Sequence, residues 1–121
     1  MNLNDAATRL EALGNPTRLR IYRALVRAGH AGLTVGKLQA RLDVAPSTLS
    51  HHLKCLLIVG LITQERQVTS LICRANYDAM HALVAFLVAE CCSESERGAE
   101  AESGAGHLIP VTTNSEDEAK P

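Results

Sequence analysis

Two short helical segments joined by the tight turn LDVA constrain the fold of this chain more than any other feature. LTVGKLQARL predicts a helix capped by Thr34, and PSTLSHHLKCLLIVG predicts a helix with Pro46 in its first turn and Gly60 at its end. The β-prone runs LITQERQ and SLICRA come next, separated by about two residues, which predicts a hairpin. Two helices, a tight turn and a following hairpin form a winged helix-turn-helix.

Three further helices complete the predicted fold, which is mainly α with a small β-hairpin. NDAATRLEAL predicts the first helix with Asn4 as its N-cap, and NPTRLRIYRALVRAG predicts the second with Asn15 as its N-cap. The last helix, NYDAMHALVAFLVAECC, is apolar nearly all round. Such a helix needs cover on every side, which one small domain cannot supply. We therefore expect a partner subunit to cover the remainder.

Charge divides the chain into two regions of opposite sign. Residues 1–92 carry ten Lys or Arg against six Asp or Glu, a net charge of +4. Residues 93–121 carry two against seven, a net charge of −5, with many small residues and few apolar ones. We expect 1–92 to be the folded domain and 93–121 to be a disordered acidic tail. A basic body is compatible with a polyanionic partner.

One face of the helix after the LDVA turn is suited to reading DNA. If Leu49, Leu53, Leu56 and Leu57 face inward at helical spacing, then Ser47, Thr48, His51 and Lys54 face outward. Short polar groups, an imidazole and a cation can contact base edges in a major groove and reach phosphates. A solvated surface helix would have much the same composition, so the face alone leaves both interpretations open.

The segments LGNPTRLRIYRALVRAG and LTVGKLQARLDVAPSTLSHHLKCLLIVGLI resemble the ArsR/SmtB family of winged-helix metalloregulatory repressors, and the resemblance covers residues 5–92. It implies a homodimer formed through the first and last helices, operator DNA as partner, and release from DNA by a metal or metalloid. It implies no enzymatic activity and no required cofactor. The positions that match the family's DNA-contacting segment are Ser47, Thr48, Ser50, His51, His52 and Lys54, of which Ser50 and His52 lie nearer the flank of the helix.

The hairpin departs from the family pattern. Family wings usually carry a glycine and an arginine at the tip, but no glycine occurs between Leu61 and Ala75. We expect Arg66 to contact phosphate instead, through a wing that is shorter or binds more weakly.

Cys91 and Cys92 are the candidate effector ligands. The run ECC at 90–92 resembles a subgroup of arsenic-responsive repressors whose last helix ends in adjacent cysteines. Trivalent arsenic is soft, and thiolates are the ligands that prefer soft ions. Neighbouring side chains diverge by about 100° on a rigid helix, whereas a frayed helix end lets both sulfurs reach one atom. We expect trivalent arsenic, as arsenite or methylarsenite, or the chemically similar antimonite, to bind there and release the DNA.

Several alternatives for the effector remain open. No third cysteine follows the pair, which fits a methylated or aromatic arsenical, or arsenite with water in the third position. We expect Cys55 to be a small buried or flanking residue and Cys73 to pack in a strand. Asp78 and His81 are two residues of another family site and favour a zinc-type sensor only weakly. Thiol oxidation, or another soft metal at the same cysteines, is the alternative function.

The start of the sequence shows no signal peptide, and no apolar run reaches the roughly 20 residues that span a bilayer. We expect a cytoplasmic protein with no membrane partner, where cysteines stay reduced. A small thiol enzyme is disfavoured because no Cys-X-X-Cys occurs. A winged helix that binds only protein remains a further alternative, distinguished by dimerisation without DNA affinity.

Overall fold

The computed structural model describes residues 1–95, which contain five α-helices and three β-strands. In chain order the elements are α1 (Leu3–Leu13), α2 (Pro16–Ala28), a 3-10 turn (Gly29–Ala31), β1 (Leu33–Thr34), α3 (Val35–Leu42), α4 (Pro46–Ile58), β2 (Ile62–Gln67), β3 (Ser70–Ala75) and α5 (Tyr77–Val88). This order confirms the predicted winged helix-turn-helix. The predicted tail lies, from residue 96 onward, outside the described residues and stays a prediction.

The hairpin forms as predicted, and a short strand that the sequence analysis missed completes its sheet. β2 and β3 pair antiparallel, with Ile62 opposite Ala75 and Gln67 opposite Ser70. β1 pairs antiparallel with β3, so the strand order is β1-β3-β2. Because Leu33 and Thr34 are only two residues, they are too few to show an alternating pattern. The sheet therefore joins the start of the helix-turn-helix to the wing.

Side-chain caps define most of the helix starts. Asn15 Oδ1 accepts from Arg18 N at 3.0 Å, and Thr34 Oγ1 accepts from Lys37 N at 3.1 Å, which confirms both predicted caps. The predicted cap at Asn4 is wrong. Asn2 has extended backbone and its Oδ1 accepts from Asp5 N at 2.8 Å, so α1 begins two residues earlier. A side chain can cap only from outside the helix, and Asn4 lies within it.

An aliphatic core lies between the helices and the sheet. Its fully buried members are Ile21, Leu25, Leu38, Leu49, Leu56, Leu61, Ile62 and Cys73. Leu53 is also buried, but the expectation that Leu57 faces inward is wrong, because Leu57 is 38% exposed. Leu57 lies at the flank of α4 that faces the hairpin, where a groove separates the two elements. The core thus holds α4 by three leucines rather than four.

Gly32 allows the chain to pass close to β3. Its φ is +71°, and a Cβ at this position would lie 2.5 Å from Cys73 O. Any L side chain would therefore be strained in its backbone and would clash with the neighbouring strand. This close approach lets β1 pair with β3.

Asn76 joins three elements. Its backbone N–H donates to Leu61 O at 2.9 Å, and its Nδ2 donates to Gly60 O at 2.9 Å. Its Oδ1 accepts from Ala79 N at 3.2 Å and so caps the first turn of α5. The end of α4, the start of β2 and the first turn of α5 are therefore bonded through one residue.

The last helix is shorter than the sequence predicts. α5 ends at Val88 rather than at Cys92, and Cys92 has φ +61°, which is incompatible with a continuing right-handed helix. The chain divides into two units after Leu87. In the second unit, residues 89–94 form turns, with hydrogen bonds such as Cys91 N to Val88 O at 3.0 Å.

Among residues 1–95, none of the helices combines the length and the apolar character that crossing a bilayer requires.

Candidate DNA interface and effector site

α4 presents one buried and one polar face. Leu49, Leu53 and Leu56 fix the helix against the core, so its opposite side is turned outward. The exposed side chains on that side and its flanks include five of the predicted DNA-contacting residues: Ser47, Thr48, Ser50, His51 and Lys54. They are hydroxyls, an imidazole and an ammonium group, which can donate to and accept from base edges and phosphates. The fold places them on one continuous surface.

His52 occupies a different environment from these five residues. Its ring is half-buried, and its Nδ1 lies 3.2 Å from Arg18 Nη1. Because a guanidinium can only donate, Nδ1 accepts and the ring is neutral in this arrangement. Burial, the Arg18 charge and the neighbouring His51 lower the pKa of His52 below its usual value. His52 therefore fastens α4 to α2 from the flank of the outward face.

Arginine side chains also tie α1 to both neighbouring helices. Arg9 Nε donates to Val59 O, just after α4, at 2.9 Å. Arg18 Nε donates to Ala12 O, in the last turn of α1, at 2.6 Å. These two cations satisfy carbonyls at helix ends, where the intrahelical partners run out. Sequence reasoning counted them only as part of the net charge.

A groove separates α4 from the hairpin. Its volume is about 680 Å³, and Ser50 and Lys54 line it from α4. Thr34 lines it from the start of α3, and Gln64 and Thr69 line it from the hairpin. Thr34 was predicted only as a helix cap, and Gln64 and Thr69 had no predicted role, because their position beside α4 follows from the packing of the sheet against that helix. The polar residues spaced along the hairpin were the feature of the sequence that could have pointed to Gln64 and Thr69.

The hairpin tip has an unusual backbone. Val68, at the tip, is 94% exposed and has φ +55°, a conformation that β-branched residues rarely adopt. Arg66 is exposed on β2, directly opposite Leu71. Arg74 on β3 is already paired with Glu65 at 2.7 Å, and this bond lowers the pKa of Glu65. Arg66 is therefore the hairpin arginine that points a charge toward solvent near the tip.

The two adjacent cysteines lie in the turns that follow α5. Both side chains are exposed thiols, and their Sγ atoms are 3.7 Å apart. Two thiolates bound to one tetrahedral zinc, at bonds of about 2.3 Å, would be about 3.8 Å apart. The left-handed backbone of Cys92 replaces the helical geometry that would separate the two side chains. The pair can therefore reach one thiophilic atom with little rearrangement.

The remaining cysteines and the second predicted metal site behave differently. Cys73 is fully buried, its Sγ accepts from Gln64 Nε2 at 3.4 Å, and burial raises the pKa of its thiol. Cys55 is half-buried on the flank of α4, with Sγ 3.9 Å from His51 Nε2. Asp78 and His81 are exposed on α5. Within residues 1–95, no three His, Cys, Asp or Glu side chains are grouped closely enough to hold a metal.

A family model described as a helix-turn-helix domain matches residues 13–65, from the end of α1 to the middle of β2. No curated protein sequence matches this chain. An ArsR-like transcriptional regulator from Rhodococcus sp. RHA1 has the same fold, with a TM-score of 0.65 and 23% identity over 88% of this chain and 96% of that one.

This chain has the fold of the ArsR-family transcriptional regulators. Two solved structures with higher identity agree. The homodimeric winged helix-turn-helix domain of Mb0332 from Mycobacterium bovis, a possible ArsR-family regulator, has a TM-score of 0.57 and 26% identity over 74% of this chain and 82% of that one. A possible transcriptional regulator for arsenical resistance has a TM-score of 0.58 and 27% identity over 76% of this chain and 93% of that one.

These findings confirm the resemblance to the ArsR/SmtB family as a DNA-binding fold shared with transcriptional regulators. The assignment to an arsenic-responsive subgroup stays a prediction, as do the individual DNA-contacting and effector-binding residues.

Proposed function

We propose that this chain is a cytoplasmic, homodimeric transcriptional repressor that binds operator DNA and leaves it when trivalent arsenic binds Cys91 and Cys92. The DNA contacts are made by Ser47, Thr48, Ser50, His51, His52 and Lys54 on α4, together with Arg66 on the hairpin. An ArsR-type repressor that senses thiol oxidation or another soft metal through the same two cysteines is the alternative.

The polar outward face of α4 is the observation that carries the DNA-binding proposal. Three buried leucines orient the helix, and five exposed polar side chains then lie on the surface that a helix-turn-helix presents to the major groove. Lys54 borders the groove next to the hairpin, so one cation serves the same surface as the hairpin residues. Arg66 adds a second charge within reach of the DNA backbone.

Exposed aliphatic side chains on the first and last helices support the homodimer. Leu3 and Leu10 on α1 are 71% and 40% exposed, and Val84 and Leu87 on α5 are 54% and 59% exposed. Covering the exposed part of each such side chain contributes about 1 kcal/mol, which favours an apolar partner. The winged-helix domain from Mycobacterium bovis is itself a homodimer, which supports the same assembly here.

The distance between the two adjacent sulfurs supports the effector proposal. At 3.7 Å they are placed to share one atom, and thiolates select soft ions over hard ones. One of the similar structures is a possible regulator for arsenical resistance. Binding of one arsenic by both thiolates would order the end of α5, which belongs to the proposed dimer interface. The spacing of the two α4 helices in the dimer would change with it.

Binding to the DNA upstream of the protein's own gene tests the first part. We expect the dimer to prefer this DNA over random DNA at micromolar protein or below, with affinity that falls as salt rises. Lys54→Ala should weaken binding and reduce the salt slope by about 1, the value for one phosphate contact. Arg27→Ala, at an exposed cation in the last turn of α2, is the matched control. Equal affinity for random DNA would overturn the proposal.

A titration of the DNA complex with arsenite and with methylarsenite tests the second part. We expect either arsenical to release the protein from the DNA. Cys91→Ser or Cys92→Ser should abolish this release and leave DNA binding in the absence of arsenic unchanged. The Cys55→Ser protein should still leave the DNA when arsenic is added, because Cys55 is not one of the two proposed ligands. Equal loss of release in Cys55→Ser would identify a third thiolate ligand and overturn the two-ligand geometry.

A titration of the DNA complex with an oxidant distinguishes thiol oxidation from arsenic binding. A disulfide-forming oxidant should leave the complex intact if arsenic is the effector, and release it reversibly on reduction if the alternative holds. A ring formed by two adjacent cysteines is strained, which disfavours the oxidative switch.

A further inference from the structure

A groove lined by α1, α2 and α5 has no part in the proposed function. Its volume is about 390 Å³, which lies in the range of about 300–1,000 Å³ that small-molecule pockets occupy. Its wall is mostly aliphatic or aromatic, with Leu13 from the end of α1, Tyr22 from α2 and Met80 from the first turn of α5. Two cations of α2, Arg23 and Arg27, complete it. An apolar wall with a few polar groups is the usual composition of a ligand pocket.

The hydroxyl of Tyr22, one of the residues that line this groove, has no hydrogen-bond partner among residues 1–95. Tyr22 is only 5% exposed, and a buried polar group without a partner is both costly and rare. Tyr77, in contrast, donates its hydroxyl to Val26 O at 2.9 Å. Burial, and then the neighbouring Tyr77, raise the pKa of Tyr22, so its hydroxyl keeps the proton and can donate. An acceptor atom on a ligand would supply the partner that the fold does not.

The two arginines of the groove are not engaged elsewhere in the described part of the chain. Arg23 and Arg27 are exposed, lie four residues apart on α2, and form no hydrogen bond or ion pair with any of residues 1–95. Arg20 on the same helix, by comparison, donates to Leu42 O at 3.2 Å. No Asp or Glu among these residues lines the groove. A carboxylate fits this surplus of positive charge, because it can accept two parallel N–H bonds from one guanidinium.

We propose that this groove binds a small organic acid, with its apolar body against the aliphatic wall and its carboxylate held by Arg23 or Arg27 and by the Tyr22 hydroxyl. The hydroxyl is buried in the empty groove, so binding includes a side-chain movement that exposes it. Met80 suits this role, because an unbranched thioether side chain adapts to irregular space. The site is independent of the proposed function, since it shares no residue with the proposed DNA contacts or arsenic ligands.

Methyl NMR of the full chain tests the site directly. The protein has two methionines, Met1 and Met80, so isotopic labelling of methionine methyl groups gives one signal from the groove and one from outside it. The probes are octanoate and phenylbutyrate, which each carry one carboxylate on an apolar body. We expect one or both acids to shift the Met80 signal saturably and to leave the Met1 signal in place. If neither acid moves the Met80 signal, the site is overturned.

The carboxylate contact is tested with an uncharged probe and with arginine variants. The alcohol that corresponds to the bound acid should bind about fivefold more weakly or worse, because an exposed ion pair contributes up to about this factor. Arg23→Gln with Arg27→Gln should weaken binding of the acid by a similar factor. Arg20→Gln, outside the groove, is the matched control and should bind normally. Equal affinities for acid and alcohol, or an unaffected double variant, overturn the proposal.

The two tyrosines separate a ligand contact from a structural role. Tyr22→Phe should weaken binding of the acid more than tenfold, the value of a hydrogen bond to a charged group, and should leave the unfolding free energy unchanged or higher. Tyr77→Phe removes a hydroxyl that is bonded within the fold, so it should lower stability and leave the affinity of the folded protein unchanged. A Tyr22→Phe protein that binds the acid as tightly as the parent overturns the proposed contact.

The partner subunit is the competing occupant, because α1 and α5 also carry the proposed dimer surface. Val84→Glu with Leu87→Glu, designed to separate the subunits, distinguishes the two. If the acid moves the Met80 signal only in this variant, the partner subunit fills the groove in the dimer and the ligand site is overturned. Movement of the signal in the parent protein supports the site, whatever the DNA-binding experiments give.

Discussion

α4 and α5 are both short helices that bury one apolar face, yet they present different chemistry to the outside. α4 buries three leucines and turns Ser47, His51 and Lys54 outward. α5 buries Ala79 and Leu83 and leaves Val84 and Leu87 more than half exposed. Both helices contribute apolar residues to the core, so the two helices differ in the side chains that stay exposed outside it. The exposed polar face of α4 suits contact with a polyanion, and the exposed aliphatic face of α5 suits contact with another protein surface.

The largest expected effect comes from making α5 resemble α4. Val84→Glu with Leu87→Glu should give a monomer, because a symmetric interface would lose four aliphatic side chains, or about 4 kcal/mol at about 1 kcal/mol for the exposed part of each. Analytical ultracentrifugation measures the change, and DNA affinity should fall with it. Ala40→Glu, at an exposed position on α3, is the control that stays dimeric. A double variant that remains a dimer would show that α5 faces something else.

The second substitution tests the close approach of β1 to β3. Gly32→Ala places a Cβ 2.5 Å from Cys73 O at a backbone φ of +71°, and should lower the free energy of unfolding by about 2 kcal/mol or more. Gly36→Ala is the matched control, because nothing lies within 4 Å of its added Cβ. It should instead gain up to about 1 kcal/mol from better helix propensity. Urea denaturation of both proteins measures the contrast, and equal stability would refute the close approach of β1 to β3.

Removing the backbone strain at the hairpin tip should stabilise the protein by a smaller amount. Val68→Gly removes a β-branched side chain from a φ of +55° and should raise the free energy of unfolding by about 1 kcal/mol. Gln67→Gly, one residue earlier in β2, should destabilise, since a glycine within a strand gains nothing there. If Val68→Gly is neutral or destabilising, the wing tip is not strained in solution.

The smallest effect concerns the attachment of α4 through His52. Its pKa is lowered in the folded protein, by burial first and then by Arg18 and His51, so protonation opposes folding. The stability that the neutral ring contributes is present above the unfolded pKa of about 6.5 and is lost as pH falls through the lowered folded value. His52→Gln should flatten the dependence of unfolding free energy on pH below neutrality. Arg18→Met should raise the pKa of His52, as followed by NMR.

The fold class and the polar face of α4 were predictable, because leucine spacing, helix caps and a two-residue hairpin turn are local signals. Asn15, Thr34 and Asn76 each cap the helix that follows them. The cap of α1 was not predictable in detail. Asn2 and Asn4 both lie near the start of α1, and only the extended backbone of Asn2 shows that it is the cap.

Other features depend on contacts between distant parts of the chain. Leu57 continues the leucine spacing of α4, but the groove beside the hairpin leaves it partly exposed. β1 exists only because Leu33 lies opposite Cys73, forty residues later. The approach of His51 to Cys55 was visible as a spacing of four, whereas the bond from Arg18 to His52 required the packing of α2 against α4.

Asn76 links the start of α5 to the base of the hairpin by hydrogen bonds. Four of its atoms are hydrogen-bonded, to Leu61 O, Gly60 O, Ala79 N and Met80 N, so the first turn of α5 is tied directly to the residues that follow α4. A displacement of this turn is therefore passed to the base of the wing through hydrogen bonds as well as through the core contacts of Ala79 and Met80.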